Sequence, residues 1–421
     1  MTVAARRDSV AAMDPDALEA YAGLLVGTCL NLSPGETLFL QGSPAHRDLV
    51  VALADAGYRF GARLVDIKYT EPRARASRIR HVDEAQLGEV AEWDVKRLRA
   101  HVGPDRGYIA ITGEGDPGVF DGLDPERVAL EHTRAATRLK WLMRASLEGR
   151  ARWTGCAWPT TYWAGQVYPE LASDEAQRKL GDDLLWFARL GPEDPGGPAG
   201  WLQHASMLAA RARMLSERGL ERLIYRDEGT ELEVRLSPGT VFAGGQRDDA
   251  YGNLVSANVP TEECFTSPQA GAAEGTFRCS LPLSFHGRLI EGIAGEFRGG
   301  KLVRLEADSD ADRDFLAAFL DSEPGARRLG EVSLVDSSSR IGRSGRIYFN
   351  TLLDENAAAH IAFGAGFGFT RAPDAPGRGA KGVNRAMLHL DVMIGTDDLD
   401  VTGVEPGGAK VPLIAGGVWQ I

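Results

Sequence analysis

The first half of this chain alternates short apolar runs with amphipathic ones, and that alternation constrains the fold more than any other feature. Residues 16–32 carry apolar side chains at helical spacing, 36–40 read as a buried strand, and 48–58 read as the next helix. Strands follow at 62–67 and 108–112, then a long helix at 125–147 and a strand at 152–158. Strands separated by helices are joined by crossovers, so the sheet they form is parallel and covered on its faces. The region 160–220 is mostly helical, broken at 191–200, where three prolines and four glycines mark a turn or a partner-facing excursion.

Near residue 221 the period changes from helical to two. Segments 222–225 and 231–236 alternate like strands, and glycine-punctuated strands continue to the C-terminus with one clear helix at 311–320. The fold class expected is therefore α/β: an N-terminal doubly wound α/β domain over residues 1–222 and a C-terminal mixed α+β domain over 223–421. A chain of 421 residues is long enough for two or three cores. No internal repeat is visible.

Charge and cysteine usage narrow the partners. A net charge of −12 argues against a phosphate backbone as ligand and suits a site that concentrates cations. The four cysteines form no CxxC pair and no disulfide framework, which points to a reducing cytoplasm. The N-terminal residues lack an apolar signal core, and no apolar run approaches the ~18–20 residues that span a bilayer. Neither export nor membrane insertion is expected.

Several familiar signatures fail. Gly113-Glu114-Gly115-Asp116-Pro117-Gly118 matches GxGxxG after a strand, but Asp116-Pro117 and the loop beyond prevent it from opening a helix, so it reads as a turn. There is no Walker A segment, no HExxH and no GxSxG. Five histidines, His46, His81, His101, His132 and His204, sit in polar or helical contexts and read as surface or helix residues. His286 reads as a turn residue between two strands.

His360 and His389 differ, because each lies in apolar sequence that also carries acids. A buried charge without a partner costs several kcal/mol, so these segments imply partners. In a strand over 387–394, His389, Asp391 and Met393 share one face, with residues two apart about 7 Å from each other. That spacing suits a common metal, two ions a few Å apart, or simply a hydrogen-bonded His–Asp pair. Glu355 and His360 lie five apart, and the alternative there is a short helix with Asp354 as its N-cap. Glu331 opens a strand over 331–335. Glu262 and Glu263 are adjacent, so in extended chain only one of them can enter a shared site.

Together these stretches resemble the thermophilic-aminopeptidase family of dinuclear metallopeptidases. The matching segments are Asn258-Val259-Pro260-Thr261-Glu262-Glu263-Cys264-Phe265-Thr266, residues 325–335, Phe349-Asn350-Thr351-Leu352-Leu353-Asp354-Glu355-Asn356 with His360, and Gly382-Val383-Asn384 leading into His389-Leu390-Asp391. In the first half the likeness is thinner, carried by Trp158-Pro159-Thr160 with Trp163-Ala164. The resemblance implies a site for two divalent ions (Zn, Co or Mn) with Glu331 bridging, and His360, His389, Asp391 and one of Glu262 and Glu263, by spacing Glu263, as further ligands. It also places Glu355 as an acid near the metals, and implies removal of one N-terminal residue from a peptide through a metal-bridged hydroxide. A homodimer is implied as well. One position departs from the family: the tyrosine expected seven residues after His360 is Phe367, which has no hydroxyl to offer a tetrahedral intermediate.

Relatives of this fold include ring-opening dihydroxypyridine dioxygenases that use one Fe(II), and His360, His389 and Asp391 would supply such a triad. Glu331, Glu355 and the Glu262-Glu263 pair would then have no purpose. A scaffold that keeps its ligands only for stability, or a metalloenzyme of the same family with another hydrolytic substrate, completes the range.

Overall fold

The computed structural model describes residues 13–113, 117–120, 122–285, 288–372 and 382–421. His286 and residues 114–116 of the glycine-rich segment lie outside them. The expected helix at 16–32 is an α-helix, Pro15–Gly23, that widens into a π-helical stretch, Leu24–Cys29. Gly27 lets the ring of Phe60 lie against that stretch, where a Cβ would meet it at 2.3 Å. Helix Pro125–Leu147 fills its expected span, and Asp124 caps it by accepting from the Glu126 N–H at 2.9 Å.

Strands Thr37–Gly42, Leu64–Tyr69, Arg106–Thr112 and Trp153–Ala157 form a parallel sheet in which Thr37–Gly42 lies between Leu64–Tyr69 and Arg106–Thr112. Its far edge is taken by Asn258–Val259, which pairs with Trp153–Ala157. Two helices, Pro72–His81 and Glu92–Arg99, went unmarked by the pattern of the sequence because each buries only two side chains, Ala76 with Ile79 and Val95 with Leu98. The loop at 191–200 is tied down rather than free: Arg340 bonds Asp194 at 2.6 and 2.7 Å, and Asp194 accepts from the Gly191 N–H.

Beyond residue 221 two antiparallel sheets face each other. The larger has eight strands, and the smaller runs in the order His389–Met393, His360–Gly364, Leu329–Leu334, Cys264–Thr266, Ala243–Gly244. Leu223, Leu232 and Phe277 of the larger sheet share one core with Val332, Ile361 and Val392 of the smaller. Successive strand side chains alternate in direction, so the other face of the smaller sheet is left for Glu331, His360 and Asp391. No helix among the described residues is long and apolar enough to cross a membrane.

Candidate metal centre

Register brings the acids and imidazoles together. Glu331 lies opposite Ala362, and Ala362 opposite Asp391, while His360 and His389 sit two residues from those positions on the same face. Glu331 reaches that face through a bulge. Leu329 pairs with Phe363 and Glu331 with Ala362, so Gly330 is the extra residue that turns Leu329 into the core and Glu331 out of it. Only glycine fits there, since a Cβ on Gly330 would lie 2.1 Å from the Ala365 carbonyl oxygen.

Two overlapping groups result: Glu263, Glu331 and His360, and Glu331, His389 and Asp391, each with ligand atoms within 4.8 Å of one another. Glu331 belongs to both. Its Oε1 lies 3.8 Å from His360 Nε2 and its Oε2 lies 3.3 Å from His389 Nε2. Glu263 Oε2 is 3.3 Å from His360 Nε2, and Asp391 Oδ1 is 3.1 Å from His389 Nε2. Each imidazole turns Nδ1 to a backbone carbonyl, that of Ala358 at 3.3 Å or Ala365 at 2.9 Å. A carbonyl only accepts, so Nδ1 carries the proton and Nε2 of a neutral ring aims a lone pair at carboxylate oxygens. A cation between them removes that repulsion, and the donor set fits a divalent metal.

Neighbouring residues fix these ligands. Ser333, two residues along the Glu331 strand, donates its hydroxyl to Glu263 Oε2 at 2.8 Å. Asn356 accepts from the Glu262 N–H at 2.7 Å and donates to the Leu352 carbonyl, which joins the Glu262-Glu263 turn to the Glu355 segment. Asn384 donates to the carbonyls of Gly325 at 2.8 Å and Arg328 at 3.1 Å, clamping the approach to His389 against the approach to Glu331. Trp163 Nε1 reaches the Tyr348 carbonyl at 2.5 Å, so the first half of the chain also supports the site. None of these roles is visible in a local pattern.

Other residues fall elsewhere. Glu262 points away from the cluster and bonds Arg189 at 2.8 and 3.0 Å, with His204 beside it at 3.5 Å. Glu355 is half-buried beside the two groups, its Oε1 3.5 Å from Asn258 Nδ2. Asp354 is not an N-cap. The short helix is Thr351–Asp354, capped by Asn350, and Asp354 turns back to accept from the Tyr348 and Asn350 N–H groups. The ring of Phe367 lies 5.2 Å from that of His389 and offers no donor. Among the first-half histidines, His81 and His132 are exposed, whereas His46, His101 and His204 are buried. His101 stacks on Phe39 and bonds Asp66, a long-range pairing that its polar sequence context does not reveal.

Without metal the cluster is electrostatically strained. Burial alone would push both imidazoles down, but the Glu263 and Glu331 carboxylates at His360, and Asp391 and Glu331 at His389, hold them well above the usual imidazole range. Burial, then the charges of Asp391 and Glu263, push the Glu355 carboxyl well up. Burial also raises Glu263, partly offset by His360. Groups with raised pKa bind protons more tightly in the folded state, so the stability they contribute is lost as pH rises. For Glu355 and Glu263 the loss begins above the ordinary carboxylate value of about 4.5, and for the histidines above about 6.5. Asp391 is lowered, which matters only in acid. Metal binding needs the deprotonated forms and strengthens over the same range. The melting temperature of chelated protein should therefore fall between pH 6 and 8.5, and its gap from the metal-loaded protein should widen. Parallel curves for the two would count against this account.

Comparison with known proteins agrees with the family resemblance. A model of the thermophilic metalloprotease (M29) family matches residues 15–419. Aminopeptidase T of Thermus aquaticus is 34% identical over 410 residues, which cover 96% of this chain and 98% of the relative. The solved structure of wild-type AmpT from Thermus thermophilus is 33% identical, with a TM-score of 0.87 over 96% of this chain and 99% of the other. A 2,5-dihydroxypyridine dioxygenase from Pseudomonas putida KT2440 has a TM-score of 0.51 at 13% identity over 96% of both chains, a likeness of fold alone. The chain belongs to the thermophilic metalloprotease (M29) family.

Proposed function

We propose that this chain is a metal-dependent aminopeptidase that removes the N-terminal residue of a peptide at a site for two divalent ions. The observation that carries the reading is Glu331, whose two oxygens each face a different histidine. Glu263, Glu331 and His360 would hold one ion, and Glu331, His389 and Asp391 the other; such ligands suit Zn²⁺, Co²⁺ or Mn²⁺. When bound, a pair of ions acidifies a shared water and polarises a carbonyl. Glu355, with a raised carboxyl, takes the proton of the attacking water and returns it to the leaving amine. The surrounding carboxylates receive the substrate's ammonium group. Glu262, paired with Arg189, supports the turn and takes no part as a ligand.

A mononuclear iron dioxygenase would use His360, His389 and Asp391 and leave Glu263, Glu331 and Glu355 idle. Elemental analysis of metal-reconstituted protein should give two ions per chain, and short peptides should release free N-terminal amino acid. One tightly held iron, with oxygen consumed on a dihydroxylated ring, would reverse the assignment; two ions without cleavage of any peptide would leave another hydrolytic substrate for the same site.

On this reading residues 1–222 govern access and 223–421 carry the ligands, with Asn258–Val259 reaching back into the first sheet. A homodimer is supported by the family resemblance and by the exposed apolar residues Leu64, Ile67 and Tyr69 on an edge strand. Light scattering on the same preparation would then give twice the 45.3 kDa chain mass. A cytoplasmic location is supported by four cysteines that are all free.

A further inference from the structure

An aromatic wall leads away from the cluster. The Phe367 ring lies 5.2 Å from that of His389, 5.5 Å from Phe265 and 5.3 Å from Phe369. All three phenylalanines are half-buried. Phe265 is two residues from Glu263 on the same side of its strand. At the far end of the wall the guanidinium of Arg247 stacks over Phe369 at 4.1 Å.

Arg247 differs from Arg189 and Arg340 in having no carboxylate partner. Arg189 is bonded to Glu262 in a buried pair and Arg340 to Asp194 in a half-buried one. Arg247 is half-buried, yet no hydrogen bond or ion pair joins its guanidinium to a described residue. Neither neighbouring acid pairs with it: Asp248 is exposed, and Asp249, though its charge acts on Arg247, is committed to its own turn, accepting from the Tyr251 N–H, the Asn253 N–H and Asn253 Nδ2. Stacking on Phe369 holds the guanidinium plane in place while leaving its N–H fork free. Desolvated and unpaired in a chain of net charge −12, the group is built to receive an anion.

We propose that Arg247 is a carboxylate-binding subsite for the far end of a short peptide, a reading that rests on the aminopeptidase assignment above. The acids of the cluster and Arg247 form two poles of opposite sign separated by an apolar wall. A short peptide carries the matching set: an ammonium group at one end, a carboxylate at the other and apolar side chains between. Each extended residue spans about 3.5 Å, so a peptide of up to about four residues covers the steps from His389 through Phe367 and Phe369 to Arg247. The carboxylate can be the C-terminus or an acidic side chain, and the chemistry at Arg247 is the same.

The test compares three substrates on the metal-loaded, full-length protein: a tripeptide free acid, its C-terminal amide, and the amide with aspartate as third residue. Wild type should favour the free acid over the amide by about 10- to 100-fold in kcat/KM, mainly through KM, as expected for a charge-assisted bond. In Arg247→Gln that ratio should collapse towards one, and Arg247→Lys should retain part of it. If the aspartate amide recovers the preference, a side-chain carboxylate serves; if it does not, the subsite is specific for the C-terminus. Equal rates on acid and amide in wild type, or an equal loss on both in Arg247→Gln, would overturn the proposal. Should no peptide be cleaved at all, the aminopeptidase reading fails separately. Calorimetric binding of the same acid and amide then decides: tighter binding of the acid, lost in Arg247→Gln, keeps the subsite, and equal binding removes it.

Discussion

Replacing Phe367 by tyrosine should raise kcat on a peptide substrate by about 10²- to 10³-fold, the range associated with one oxyanion donor. The ring packs against His389 and Phe265, and its backbone N–H donates to Ser267 Oγ at 2.7 Å. Adding a hydroxyl to a half-buried ring needs little repacking, so the added group should act on the reaction more than on the fold. A gain confined to kcat would mean that the donor works in the transition state and not in ground-state binding. An unchanged kcat would show that the hydroxyl cannot reach the reacting carbonyl from this position.

Glu331→Gln should have the largest opposite effect. One side chain serves both groups, and an amide nitrogen cannot take the place of the second carboxylate oxygen. Metal content should fall from two ions to at most one, and kcat/KM by about 10³-fold or more, since residues acting as a unit lose most of their effect together. Glu262→Ala provides the contrast. Its carboxylate is buried against Arg189, and breaking such a pair costs about 3–5 kcal/mol because a charge is left unpaired. Denaturant titration should show that loss for Glu262→Ala, whereas chelated Glu331→Gln should lose less, because Glu263 and Asp391 remain beside the two imidazoles. Matching stability losses in the two chelated variants would contradict the placement of these neighbours.

Much of the architecture follows from local pattern. Helix Pro125–Leu147 and four of the five strands of the parallel sheet are visible because apolar residues recur with a helical or a two-residue period. Helices Pro72–His81 and Glu92–Arg99 escape notice because their charged sequences bury too little to show a stripe. Within the site, the shared face of His389 and Asp391 is also local, a direct result of strand alternation.

The sequence by itself determined most of the elements, the change of period near residue 221 and the identity of the acids and imidazoles gathered in order along the second half. Tertiary structure decided how they meet. The bulge at Gly330 sets the face on which Glu331 emerges, and strand pairing places it between two histidines distant from each other in sequence. Asn356 and Arg189 determine that Glu263 enters the cluster while Glu262 leaves it, and the stacking of Phe369 sets Arg247 at the end of an aromatic wall. The physical reason is the same in each case. Side-chain direction within a strand depends on a period of two and can be read locally, but register, bulges and partners depend on free energies shared between segments tens to hundreds of residues apart.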